Sequence, residues 1–154
     1  TYIDIRRNFS EIFKQLFEGG QATLELTDPE NVLESGIEIM VRPPGKKPKS
    51  IDLLSGGERA LVAVALLFAT YMEKPSPFCF LDEIDAPLDE QNIGRFIKML
   101  REFTLQTQFV IVSHNKKTMS TGESIYGVTM EEPGVSKVVS LRMEKVEVKP
   151  SGVT

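Results

Sequence analysis

Apolar residues first recur at helical spacing. Phe9, Ile12, Phe13, Leu16 and Phe17 repeat every three to four positions, and Gly19-Gly20 ends the pattern. The pattern runs back through Ile5 to the first residues with no capping signal before it, so it is expected to be the tail of a longer helix. Two alternating stretches follow, Ala22-Leu24-Leu26 and Ile37-Ile39-Val41. They predict antiparallel strands around the turn-rich segment 27–36. A helix is predicted from about residue 58 to 73, apolar nearly all round and therefore buried, with Pro75 and Pro77 ending it. Phe78-Cys79-Phe80-Leu81 is a short continuous apolar run, the pattern of a central parallel strand. The next helix starts near Asp89, a good N-cap, with Ile93, Phe96, Ile97, Leu100 and Phe103 on one face. Residues 109–112 predict a second buried strand, so strand, helix and strand form a right-handed βαβ unit. Stretches 125–130 and 135–143 around Glu131-Glu132-Pro133-Gly134 predict a hairpin, and a frayed tail follows Glu144.

Composition narrows the class. With 154 residues, 41% hydrophobic and 26% charged, the chain is one globular domain able to bury a core. The longest apolar run, 60–69, is about half of the roughly 20 residues needed to cross a bilayer. Residues 1–8 mix Asp and Arg with apolar residues and make no secretory signal. A single cysteine, Cys79, excludes a disulfide framework and a cysteine-based zinc site, and fits a reducing, cytosolic setting. The net charge of −4 argues against the whole chain being an electrostatic nucleic-acid binder. Segment 42–50 carries Arg42, Lys46, Lys47 and Lys49 and no acid, which leaves −8 on the rest. It reads first as a solubilising loop, because no aromatic residues interleave the cations, and second as a contact to DNA phosphates.

Three short motifs carry chemistry. The first is Asp82-Glu83, directly after four apolar strand residues. Ligands of α/β sheets bind beyond the carboxyl ends of the strands. There Asp82 would hold Mg²⁺ through its water shell, and Glu83 could take a proton from a water attacking a γ-phosphate. An ordinary solvated strand end has the same pattern. The second is Leu54-Ser55-Gly56-Gly57-Glu58 opening a buried helix. Ser55 can cap that helix, and Glu58 three residues on completes a capping box. A plain cap does not need two glycines, whereas close approach of backbone N–H groups to an anion does. The third is His114, the only histidine, standing after the second strand as Asp82 stands after the first. In a parallel unit those two strand ends lie side by side, so His114 could reach a phosphate near Glu83.

Ser55, Asp82 and His114 are separated by 27 and then 32 residues. Their order and spacing resemble the signature, Walker B and switch histidine of ABC-type ATPases, and Asp85-Ala86-Pro87-Leu88-Asp89 resembles the D-loop. Transporters normally have Gln at the end of the signature and Pro-Thr after Walker B; here Glu58 and Ile84-Asp85 stand instead. This variant is similar to the SMC family (structural maintenance of chromosomes), most like the C-terminal half of a bacterial or archaeal chromosomal SMC head. Leu26-Thr27-Asp28-Pro29, the Arg42-Pro43-Pro44-Gly45-Lys46-Lys47 run and the stretch 126–137 carry the same resemblance, which covers nearly the whole chain. Pro87 departs from the alanine of many relatives and should stiffen the D-loop. A P-loop, G-x-x-x-x-G-K-[ST], occurs nowhere in the sequence; the one Gly-Lys pair, Gly45-Lys46, has Met at position 40 and Lys at 47.

The resemblance implies an α/β fold, the C-terminal lobe of an ABC-type P-loop NTPase head, mostly parallel sheet with flanking helices and antiparallel marginal strands. It implies three parts: 1–17, the end of a returning coiled coil; 18–145, half of the ATPase head; and 146–154, a flexible tail. The implied cofactors are ATP and Mg²⁺. Glu83 would be the general base, His114 the γ-phosphate sensor and Asp82 the magnesium-linked acid. Leu54, Ser55, Gly56, Gly57 and Glu58 would bind the nucleotide of an opposing head, with Asp89 near the head–head interface. The implied partners are the N-terminal half of the same head, a second head, a kleisin subunit and DNA, with no membrane and a cytoplasmic, nucleoid-associated location. The alternatives are a DNA-repair relative, a catalytically silent kleisin-binding half and, third, a transporter nucleotide-binding domain.

Overall fold

The computed structural model describes residues 1–143, and the tail expected over 146–154 lies outside them. Helix α1 (Tyr2–Leu16) buries the predicted stripe, Phe9, Ile12, Phe13 and Leu16. The helix ends where Glu18 turns left-handed (φ 56°), followed by Gly19 and Gly20. Gly20, at φ 78°, lets the chain pass close to the next sheet: a Cβ there would lie 2.5 Å from the Arg42 carbonyl oxygen. Strands β1 (Gln21–Leu26) and β2 (Ile37–Arg42) pair antiparallel with Leu24 opposite Ile39, and a short β3 (Lys49–Ser50) adds to β2.

Helix α2 (Gly56–Tyr71) begins two residues earlier than predicted, because Ser55 is its N-cap and both glycines enter the first turn. It is not buried all round. Leu61, Val62, Val64, Ala65, Phe68 and Ala69 are buried, while Arg59, Ala63, Leu67 and Thr70 form an exposed stripe. Strand β4 (Phe78–Asp82), helix α3 (Glu90–Phe103) and strand β5 (Gln108–Val112) form the expected unit, with β4 and β5 parallel and Asp82 opposite Val112. A one-turn helix α4 (Lys116–Met119) follows, then the hairpin of β6 (Ser124–Glu132) and β7 (Val135–Arg142).

The core lies between α1, α2 and α3, where Phe9, Phe13, Leu61, Phe68, Ile93 and Phe96 are sealed from solvent. The Phe68 ring also packs, tilted, against Phe103 and Phe109, which ties α2 to α3 and β5.

Two expectations need correction. The sheet is not mostly parallel: among the described residues only β4–β5 is parallel, and the other two sheets are antiparallel. Nor is β4 covered on both faces. Alternate side chains point to opposite sides of a strand. Cys79 and Leu81 turn toward the core, while Phe78 and Phe80 are 57% and 71% exposed and, with Val110 and Val112, leave an open apolar face. No helix of the described residues is long and apolar enough to cross a membrane.

Candidate functional site

The predicted residues gather into two clusters. The first lies where β4 and β5 end. Glu83 continues the ladder by one step, its N–H donating to the Val112 carbonyl at 2.9 Å. It then takes a left-handed backbone (φ 48°), uncommon for a residue with a side chain. His114 follows one residue after Ser113 at the neighbouring strand end, and its Nε2 meets Glu83 Oε1 at 2.7 Å. Parallel pairing brings together two residues 31 positions apart. Both side chains remain open to solvent, His114 at 84% and Glu83 at 50%, so an incoming group can reach them. Asp82 is exposed beside them, and among the described residues no cation pairs with it. A single free carboxylate at a strand end suits a magnesium ion that keeps most of its water.

Beneath this pair lies Asp85, 2% exposed. Its Oδ2 accepts from Ser113 Oγ at 2.6 Å and from Thr118 Oγ1. Ser113 Oγ also accepts from the Asn115 N–H at 2.9 Å, and the Asn115 side chain caps α4. These contacts were not legible in the sequence. Asp85 read only as part of the D-loop, and its hydroxyl partners lie 28 and 33 positions away.

The second cluster is the start of α2. Ser55 Oγ accepts from the Glu58 N–H at 3.3 Å, while Glu58 Oε2 accepts from both Ser55 N–H and Ser55 Oγ at 3.1 Å. The predicted capping box is therefore formed. Lys46 Nζ donates to the other oxygen, Glu58 Oε1, at 2.7 Å. The Lys46 ammonium, more than the helix cap, holds the Glu58 carboxyl below the usual glutamate range, with burial opposing. The basic loop thus serves at least in part to pin the loop it faces. Leu54 is buried beneath this turn.

Neither glycine of the turn is required by the fold. Both keep negative φ. A Cβ on Gly56 would meet nothing within 4 Å, and one on Gly57 would make only ordinary contacts, 3.5 Å from Asn92 Nδ2 and 4.0 Å from Asp89 Oδ2. Asp89 sits beside Gly57 and caps α3, its Oδ1 accepting from the Asn92 N–H at 2.8 Å. Two broad concavities occur elsewhere, between α1 and the β1–β2 sheet and beside Tyr71, and neither is lined by Ser55, Glu83 or His114.

The family model described as "RecF/RecN/SMC N terminal domain" matches residues 5–137. The Chromosome partition protein Smc of Bacillus subtilis (strain 168) is 50% identical over 147 residues, which are 96% of this chain and 12% of that protein. The chain therefore spans about an eighth of the length of the curated relatives it matches. A solved structure described as "Structural biochemistry of ATP-driven dimerization and DNA stimulated activation of SMC ATPases" superposes with TM-score 0.83 at 44% identity, over 91% of this chain and 84% of that one. The Smc head domain of Pyrococcus furiosus, with an extended coiled coil and bound to the C-terminal domain of ScpA, superposes with TM-score 0.80 at 45% identity, over 92% of this chain and 35% of that one. With a family model spanning most of its length and this shared fold, the chain belongs to the RecF/RecN/SMC family and has the fold of an SMC head.

Proposed function

We propose that this chain is the C-terminal half of an SMC ATPase head, working with an N-terminal half that carries the P-loop. The observation that carries the reading is the Glu83–His114 contact at the ends of two parallel strands. A carboxylate next to an imidazole, both open to solvent, can hold and deprotonate a water at one point while the imidazole meets an anion at another. In this reading Glu83 takes the proton of the water that attacks the γ-phosphate on its other oxygen, Oε2, and His114 Nε2 donates to the γ-phosphate oxygen by exchanging its contact with Glu83 Oε1 for the incoming phosphate. Magnesium, when bound, neutralises phosphate charge, and Asp82 holds it through its water shell.

The start of α2 serves a second nucleotide, held by an opposing head. Gly56 and Gly57 are support for this: nothing inside the chain needs glycine there, so their small size fits close approach by something outside it. Gly56 and Gly57 then offer N–H groups to the phosphates at a helix N-terminus, and Ser55 adds its hydroxyl by exchanging its bond to Glu58 for one to phosphate. Leu54 seats this turn and Glu58 shapes it, while Asp89 supports it from α3. ATP binding would join two heads and hydrolysis release them, in the service of chromosome partition in the cytoplasm. A kleisin subunit is the expected protein partner, consistent with the ScpA-bound relative, and DNA the expected nucleic acid.

The test uses the complete head, assembled from an N-terminal half and this chain. Glu83→Gln keeps the size of the side chain and its grip on water but accepts no proton. ATP binding should survive while turnover falls by about 10²-fold or more. A Glu83→Gln head that cycles at the wild-type rate would rule out Glu83 as the base.

A further inference from the structure

We infer that Asp85 is the positioning residue that sets the distance between Glu83 and His114, an inference that rests on the ATPase reading for its catalytic meaning but not for its geometry. Asp85 is a carboxyl group 2% exposed, and among the described residues no lysine, arginine or histidine pairs with it. Burying such a group is expensive, and an apolar side chain of similar volume would serve packing at less cost. Its surroundings show what it does instead. One oxygen, Oδ2, takes both hydroxyls: Ser113, immediately before His114, and Thr118, four residues after it. The loop that carries His114 is held at two points on either side of the imidazole. Asp85 itself lies two residues beyond Glu83, in a turn closed by the Ala86 N–H on the Glu83 carbonyl (3.1 Å) and the Leu88 N–H on the Asp85 carbonyl (3.0 Å). One buried oxygen therefore joins the loop of Glu83 to the loop of His114.

The same clamp explains how Glu83 keeps its left-handed backbone. A residue in that region persists only where its surroundings over-determine it. The Val112 contact fixes Glu83 from behind and the Asp85 turn from ahead. A displacement of about 1 Å between two reacting groups is enough to cost roughly 10²-fold in rate. Asp85 touches no reacting atom and acts through geometry alone.

Two measurements on the assembled head test this, with variants Asp85→Leu, Asp85→Asn and Ser113→Ala. In ATP turnover, Asp85→Leu should lower kcat by ~10-fold or more with KM for ATP within about twofold of wild type. Asp85→Asn, whose amide oxygen can accept both hydroxyls, should recover most of that loss. Ser113→Ala, which removes one of the two anchors, should fall between. The second measurement is independent of activity. His114 is the chain's only histidine, so isotope-labelled histidine in this chain alone gives one set of imidazole NMR signals in the head. In wild type those signals should shift on Glu83→Gln; in Asp85→Leu they should already lie near a free imidazole, and adding Glu83→Gln should move them no further. The inference is overturned if the Asp85→Leu imidazole signals coincide with wild type, or if kcat, ATP affinity and melting temperature fall together and Asp85→Asn rescues none of them. If Asp85→Leu does not fold, Ser113→Ala carries both readouts. A wild-type head without ATP turnover would count against the ATPase reading alone, and the imidazole spectrum would still decide the role of Asp85.

Discussion

Glu83 concentrates the residue-scale argument. Its backbone sits at φ 48°, where a side chain costs about 1–2 kcal/mol relative to glycine. The strain stands at the residue whose carboxylate meets His114, so the proposed catalytic role and stability pull apart there. Glu83→Gly should leave the fold as stable as wild type or stabilise it by up to about 1 kcal/mol, while ending turnover in the complete head. Urea unfolding measures the first and an ATPase assay the second. A loss of stability above about 1 kcal/mol would show that the left-handed geometry carries no strain. Phe78 and Phe80 contrast with this, since they are 57% and 71% exposed and replacing them should cost this chain little stability.

At the scale of elements, the start of α2 is the most informative. Ser55 and Glu58 cap the helix reciprocally, and Lys46 crosses from the preceding loop to hold Glu58. Lys46 keeps the Glu58 carboxyl below its usual range, so the folded state binds that proton less readily than the unfolded chain does. The resulting stabilisation is fully present above the ordinary glutamate value and fades as pH falls through the lowered native one. Both groups are partly exposed, which limits the pair to less than about 1 kcal/mol. Lys46→Met should therefore melt slightly lower than wild type at neutral pH, and the gap should close in acid. Thermal unfolding across pH measures it, and a gap that widens toward acid would contradict the assigned pair.

For the molecule as a whole, the two clusters share one setting. Both lie on open surface rather than in a closed pocket, and the β4–β5 sheet offers an uncovered face of Phe78, Phe80, Val110 and Val112. Phosphoryl transfer depends on holding the β- and γ-phosphates, and the sequence has no P-loop to do so. The purified chain by itself should show no ATP turnover above buffer, and adding an N-terminal half should restore it. Robust hydrolysis by the chain alone would overturn the half-head reading.

The order of elements was readable in the sequence because its signals are local. Helical spacing marked α1 and α3, alternation marked β1 and β2, Ser55 and Asp89 marked two helix starts, and a turn marked the final hairpin. The residue types of the candidate site were readable for the same reason, since Asp82-Glu83, the Ser-Gly-Gly-Glu turn and the lone His114 are each local motifs spanning a few positions. Continuous apolar runs were less decisive: they foretold β4 and α2 but not that each would leave one side open, because exposure depends on which layers pack against it. Only the tertiary structure brought His114 to 2.7 Å from Glu83, seated Asp85 on Ser113 and Thr118, and turned Lys46 toward Glu58. Each of those contacts joins residues 12 to 33 positions apart, beyond the reach of helix and strand periodicity, and exists only once the strands have paired and the loops have closed on the core.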